Sequence, residues 1–445
     1  MLHRLRVVLC LVLVLVLAPP SASGHGDIPL VTSVSVRPGH PAELVASTTF
    51  GALVSRDGGE AWDLVCELVL SSAAAGDPRM LFGDDGALWA ASSVEGVSVS
   101  RDGGCSFQAH PDFQGRYVTS LVLHPGSPGT LLATLGEPGV PGALLVSDDG
   151  GVSFEPTALA AEDDLYTAAC ASAASPTRLY VSALTGSKAR LYASDDVGKT
   201  FTSSPVAEAD GGAFAVLGAS PVDEDVVFVF AGQDTEDRVL RSTNGGADLA
   251  PVLTVSGSVR GLEHSADGTK VWVAATRLYG SEDGGATFAP YAGPTLNACI
   301  GRAGEALFAC GWEQADGWSL GISHDGGATW QPAVALATIR GVLDCPAGTD
   351  TTEVCPASWL DLKSQLGGGG GGAPVPAEPV EPAPPAPEPP GSGCGAVPRA
   401  SGAAAAVVVG VMLFVLAVSA ARPGKDATDS HSSLRAFVAS RRRPR

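Results

Sequence analysis

Lysine is nearly missing from this chain: Lys188, Lys199, Lys270, Lys363 and Lys425 are the five in 445 residues. Lys and Arg together number 27 against 47 Asp and Glu, a formal net charge of −20. A nucleic-acid binder needs a basic face, so this balance argues against one. Charged residues of both signs reach only 17%, and Ala/Leu/Glu/Lys heptads are absent. Glycine (56) and proline (33) are abundant instead. Both break helices, which argues against a long helical bundle. None of the nine cysteines sits in a CxxC knuckle, the spacing a structural zinc site uses. No EF-hand loop occurs, so the acidic stretches Glu162 to Asp164, Asp223 to Asp225 and Asp234 to Asp237 read as solvated loops. Val197, Gly198, Lys199 and Thr200 lack the earlier glycine of a phosphate loop. His40, His110, His124 and His324 show no metal-ligand spacing. No catalytic, cofactor-binding or metal-ligating set is expected, and no cofactor.

Long apolar runs are confined to the two ends. Residues 1–24 read as a signal peptide: Arg4 and Arg6, an apolar run from Val7 to Ala18, then the small residues Ser21, Ala22 and Ser23. Near the other end, Gly367 to Gly372 and the proline-rich stretch 373–390 cannot build a core. They predict an extended stalk over 363–398, in which the proline-rich stretch reaches roughly 50 Å. Ala403 to Ala421 carries no charge and matches the length of a transmembrane helix, placed within 399–421. Arg422, Lys425 and Arg441 to Arg443 follow it, the basic flank of a cytoplasmic tail at 422–445. The chain is thus expected to be exported and anchored, a monomer with its middle portion outside the cytoplasm.

That middle portion repeats. Ser, Asp, Gly and an aromatic recur in the spacing Ser-x-Asp-x-Gly-x-x-aromatic: Ser55, Asp57, Gly59, Trp62; Ser100, Asp102, Gly104, Phe107; Ser147, Asp149, Gly151, Phe154; Ser194, Asp196, Gly198, Phe201. A degenerate copy follows at Ser242, Asn244, Gly246 and Leu249. Two more stand at Ser281, Asp283, Gly285, Phe288 and at Ser323, Asp325, Gly327, Trp330. Successive serines lie 39 to 48 residues apart, the length of one four-stranded propeller blade. The motif has turn chemistry: the Asp or Asn oxygen accepts backbone N–H bonds, and glycine supplies positive φ. Flanking segments such as 31–36, 44–46, 52–54 and 62–65 read as strands. The expected fold is an all-β, seven-bladed β-propeller over residues 25–340.

These copies resemble the Asp-box, or BNR, repeat, and over about 27–340 the chain is similar to the BNR-repeat propeller superfamily, which includes sialidases, xyloglucanases, sortilin and a photosystem II assembly factor. The resemblance implies that Asp57, Asp102, Asp149, Asp196, Asn244, Asp283 and Asp325 are structural, at blade edges away from the ligand face. A sialidase would also need an arginine triad, a Tyr/Glu nucleophile pair and an Asp acid/base. The Arg-Ile-Pro signature is missing here; Val36, Arg37 and Pro38 are its shadow. Arg79, Arg116, Arg178, Arg260, Arg277, Arg302 and Arg340 stand in no diagnostic setting, and tyrosines number six. The function expected is therefore a non-enzymatic surface binding or scaffold propeller, its partner a protein or glycan. An exported glycoside hydrolase of the sialidase clan is the alternative. Gly393, Cys394 and Gly395 ahead of the apolar span resemble the sorting tails of myxobacterial surface proteins. That likeness makes Cys394 a sorting cysteine and implies the cell surface of a Gram-negative bacterium.

Export places the cysteines in an oxidising compartment. Cys345 and Cys355 flank a loop that a local disulfide would close, within a cap at 341–362 that buries Trp359. Cys299 and Cys310 flank a hairpin and are expected to pair across it. Cys66 and Cys105 are brought together if adjacent blades juxtapose them. Cys170 and Cys394 have no evident mate, and connectivity is not fixed by spacing alone.

Overall fold

A computed structural model describes residues 28–367, apart from 71–77, 93–95, 138, 162–163, 234 and 296–298. The expected leader, nearly all of the stalk, the apolar span, the basic tail and Cys394 lie outside the described residues. Among the described residues no helix is long and apolar enough to cross a membrane.

The strands form seven four-stranded antiparallel sheets, spanning residues 31–66, 79–109, 118–161, 164–205, 213–256, 261–290 and 300–334. Each sheet follows chain order from first strand to fourth. First strands of neighbouring sheets pack on one another, so they are innermost, and the sheets are the blades of a seven-bladed propeller.

The sequence forms blades because its middle strands are apolar on both faces. In blade 1, Leu44 to Ala46 and Ala52 to Val54 are all buried. Side chains alternate across a strand, so one set must face each neighbour. Leu44, Ala46 and Leu53 pack with Phe308, Cys310 and Leu320 of blade 7. Val45, Ala52 and Val54 pack with Met80, Phe82 and Leu88 of blade 2. Each such side chain stabilises the ring by about 1.5–3 kcal/mol. A one-residue register slip would exchange the two sets and misfit both interfaces.

Antiparallel order also sorts the connections. Turns between first and second strands, and between third and fourth, share one face of the ring, here the turn face. Second-to-third connections and the links between blades share the other, the linker face. All seven Ser-x-Asp/Asn turns join third to fourth strands and lie on the turn face. In six copies both central positions are glycine at positive φ, as at Gly284 (68°) and Gly285 (78°). The fourth copy has Val197 at the first of these, at φ 55°. A β-branched residue there is strained, a departure hidden when the motif is read for its second glycine alone.

Three disulfides occur among the described residues: Cys299–Cys310, Cys105–Cys345 and Cys66–Cys355. Cys299–Cys310 spans the hairpin of Ile300–Ala303 and Ala306–Cys310. The expected local bond between Cys345 and Cys355, and the expected Cys66 with Cys105, are both replaced. Residues 340–343 run alongside the outer strand of blade 1, which carries Cys345 to blade 2 and Cys355 back to blade 1. A helix, Asp350–Gly367, follows and extends beyond the expected end of the cap. Trp359 on it is half-buried, packed with Leu362 and Leu366 on the cluster shared by blades 7 and 1. Disulfides are the chemistry of an oxidising, extracytoplasmic compartment.

Candidate functional site

On the turn face the acidic residues of the repeat are held in the turns themselves. In the sixth copy, Ser281 Oγ donates to Asp283 Oδ1 (2.7 Å) and accepts from Gly285 N (2.9 Å). Asp283 Oδ1 also accepts from Ala286 N and Thr287 N, and Oδ2 accepts from Thr287 Oγ1. These bonds, led by the Thr287 hydroxyl, hold the Asp283 carboxyl far below the usual range. The Ser153 hydroxyl does the same for Asp149, the Thr200 backbone N–H and hydroxyl lower Asp196, and Thr329 keeps Asp325 at about 2. Asp57 accepts from Ser55 Oγ and Ala61 N, Asp102 from Ser100 Oγ, Cys105 N and Ser106 N, and Asn244 from Ser242 Oγ and Asp248 N. Side chains such as Arg56 and Arg241 link neighbouring turns by donating to Gly103 O (2.9 Å) and Gly284 O (3.1 Å). A carboxylate whose oxygens are already accepting from its own turn is a poor acid or base.

The inner strands hold a different set. Glu263 and His264 are buried on the first strand of blade 6, Gly261–His264. Successive side chains leave opposite faces. His264 faces blade 5, where its ring lies 5.4 Å from Phe228. Glu263 interacts with Arg302, buried on the first strand of blade 7, whose Nη1 donates to Gly304 O (2.5 Å). Burial pushes the Glu263 carboxyl up to about 7, against the pull of Arg302. Burial, together with Arg302 and Arg241, holds the His264 imidazole down at about 3. The sequence pointed to none of this beyond Arg302 as an arginine without a setting; the available signal was the dipeptide Glu-His closing the short strand Gly261–His264.

The remaining arginines are distributed around the ring. Arg37 donates to Glu43 and to Asp84 O, Arg178 pairs with Asp195 and Asp225, and Arg340 pairs with Asp63. Asp237, expected in a solvated acidic loop, is instead buried, with Oδ2 accepting from Val259 N (2.9 Å). Asp225 is exposed and pairs with Arg178 between blades. Among the described residues no group of His, Cys, Asp and Glu is arranged to hold a metal ion.

The linker face carries exposed aromatics. Trp312 (38% exposed) opens the connection between second and third strands of blade 7, and Tyr117 (36%) precedes blade 3. The Trp312 loop is tied on all sides. A short helix, Glu313–Asp316, ends at Gly317 in the left-handed region. Asp316 Oδ2 accepts from Trp312 N (2.8 Å), and Oδ1 accepts from Thr295 N (2.9 Å) and Oγ1 (2.8 Å). Glu313 accepts from Ser319 Oγ (2.8 Å) and Leu336 N (2.9 Å). The backbone that carries the partly exposed Trp312 is thus preorganised, which lowers the entropy lost when a partner covers it.

The chain matches no protein-family model and no curated protein. Among solved structures it is similar to a GH74 xyloglucanase from Xanthomonas campestris, with a TM-score of 0.52 at 16% identity, over 68% of this chain. It spans 53% of that enzyme's length. A GH74 enzyme from Niastella koreensis aligns with a TM-score of 0.42 at 16% identity, over 68% of this chain and 65% of the enzyme. YCF48 from Cyanidioschyzon merolae aligns with a TM-score of 0.42 at 14% identity, over 63% of this chain and 92% of YCF48. At 16% identity the likeness to the Xanthomonas campestris enzyme shows the propeller fold alone.

Proposed function

We propose that this chain is a binding or scaffold propeller outside the cytoplasm, which recognises a protein or glycan with its linker face. The observation that carries the reading is Trp312, an exposed aromatic on a loop fixed by two carboxylates. Buried core aromatics need no such loop, whereas tryptophan anchors are common at interface centres. In this reading the seven Ser-x-Asp/Asn turns are structural elements of the Asp-box kind. The segment beyond residue 367 serves as stalk and membrane anchor, and Cys394 belongs to its sorting signal.

The test is capture of envelope protein and glycan by the immobilised full chain. Trp312→Ala should weaken retention by about tenfold or more, the effect of losing one interface anchor. Wild-type retention by both Trp312→Ala and Tyr117→Ala would place recognition elsewhere. Ser147→Ala probes the turns: it deprives the buried Gly151 N–H of its acceptor (2.8 Å) and Asp149 of a donor. A loss of about 1–3 kcal/mol by chemical denaturation, with capture unchanged, is expected. Lost capture at unchanged stability would make the turn a binding site.

Glycoside hydrolysis is a second reading, favoured by one observation. The Glu263 carboxyl is raised into the range of a general acid. Against it, Glu263 is buried beside Arg302, and hydrolysis takes a second carboxylate across an open cleft. Turnover of xyloglucan or a sialoside that disappears in Glu263→Gln would decide for the enzyme.

A further inference from the structure

Among the described residues every blade is one continuous stretch of chain, with no strand exchanged between blade 7 and blade 1, where the ring must close. At the six other junctions hydrogen bonds run from blade to blade. Met80 N donates to Ser47 Oγ (2.8 Å), His110 Nε2 bonds Gly151 O (3.1 Å) and Ala169 N donates to Ser120 Oγ (3.1 Å). Val216 N donates to Ser182 Oγ (3.0 Å), Arg241 Nε to Gly284 O (3.1 Å) and Trp272 Nε1 to Gly326 O (3.1 Å). At the closing seam Leu44, Ala46 and Leu53 of blade 1 pack on Phe308, Cys310 and Leu320 of blade 7. Gly301 of blade 7 packs so tightly that a Cβ there would lie 2.5 Å from Val34 of blade 1.

The segment after blade 7 bridges this seam. Arg340 N donates to Trp62 O (3.1 Å), Leu64 N to Gly341 O (2.7 Å) and Leu343 N to Leu64 O (2.9 Å). Val342 thereby forms a parallel bridge with Leu64 on the outer strand of blade 1. Leu343 is buried among Val65, Phe82 and Leu88, and Cys345 is bonded to Cys105 of blade 2. Thr351 donates to Cys105 O (3.0 Å) and Gly104 O (2.9 Å), and Cys355 then returns the chain to Cys66 of blade 1. Leu362 and Trp359 end on the seam cluster with Trp62, Phe308 and Leu336.

We propose that residues 340–366 are a redox-sensitive clasp that closes the propeller ring: with Cys66–Cys355 and Cys105–Cys345 intact the seam is shut, and reducing both lets blades 7 and 1 part while the distant blades stay folded. In a repeat architecture each unit contacts only its neighbours, so losing one junction leaves the others in place. Covalent attachment keeps the clasp at high effective concentration over its docking strand; reduction leaves the Arg340–Asp63 ion pair, a few hydrogen bonds and apolar contacts to hold it. The reductant is a dithiol. One of its thiolates attacks a disulfide sulfur and expels a cysteine thiolate, which takes up a proton. Its second thiol then displaces the other cysteine, giving two cysteine thiols and one oxidised dithiol per disulfide. Cys345 is half-buried, whereas Cys66 and Cys355 are buried, so Cys105–Cys345 is attacked first.

Hydrogen exchange on the folded full chain, with and without dithiothreitol, tests this. Peptides over Val31–Arg37 and Ile300–Ala303 should exchange about tenfold faster or more after reduction, while Val227–Gly232 and Glu236–Ser242 in blade 5 stay within about twofold. The Cys299→Ser/Cys310→Ser variant should respond as wild type. Serine at Cys66, Cys105, Cys345 and Cys355 together should give the fast-exchanging seam without reductant. In-place reduction of the folded protein covers the case in which that variant does not fold. Equal acceleration in all blades would make the disulfides a global stabiliser and overturn the clasp. Unchanged exchange at the seam, with mass spectrometry confirming both bonds reduced, would overturn it too.

Discussion

Trp89→Ala is expected to lower the stability of the propeller by about 3–5 kcal/mol, the range for removing a large aromatic from a close-packed core. Trp89 is fully buried on the second strand of blade 2, at the junction with blade 3. Phe154 meets it edge-on at 6.3 Å, and His110 lies 6.0 Å away. The fit to blade 3 is tight enough to require a glycine: a Cβ on Gly151 would lie 2.3 Å from the indole. His110 and Phe113 line the same cluster but cannot collapse into the space, because Phe113 is itself packed on Phe154 at 4.7 Å. Trp89→Phe should recover part of the loss. Chemical denaturation followed to equilibrium measures both, and a loss below about 1 kcal/mol for Trp89→Ala would show that the junction repacks.

Acid is expected to destabilise the fold well above the range in which ordinary carboxylates titrate, and removing one buried carboxyl should make this worse. Burial holds His124 at about 4 and His264 at about 3, from an ordinary 6.5. The folded state binds these protons less tightly than the unfolded chain. Each imidazole therefore contributes fully above pH 6.5, and its contribution is lost as pH falls towards those lower values. Glu263 runs the other way. Its carboxyl is raised from 4.5 to about 7, so its contribution is complete below pH 4.5 and lost as pH rises towards 7. Between about pH 4.5 and 6.5 each group changes stability by about 1.4 kcal/mol per pH unit, and one of the three opposes the other two. The net loss on acidification is therefore that of one group for wild type and of two in Glu263→Gln, whose slope should be roughly twice as steep. Denaturation midpoints at several pH values across this window give the slopes. A slope in Glu263→Gln equal to or shallower than wild type would contradict the assignment.

Much of the architecture was legible because it is periodic. Seven copies of a turn motif, each at blade spacing and flanked by apolar strands, specify seven four-stranded sheets without long-range information. The hairpin bond Cys299–Cys310 was legible for the same reason, since eleven residues and one turn bring its partners together. Partners 240 and 289 residues apart leave no local trace, and Cys345 and Cys355 were captured by blades 2 and 1 rather than by each other. What moved them was the parallel bridge from Val342 to Leu64, which depends on where the ring closes and not on the loop that contains them. The site followed the same division. Motif spacing marked the residues that close turns. Whether a carboxylate such as Asp237 is solvated or buried, and whether Glu263 feels the charge of Arg302 on the next blade, depends on which strands become neighbours. Residue order by itself determined the repeating unit, because turn chemistry and strand alternation act over a few residues. Only the tertiary structure decided the closure of the ring, the cysteine partners and the exposure of Trp312, because each depends on contacts between segments far apart in the chain.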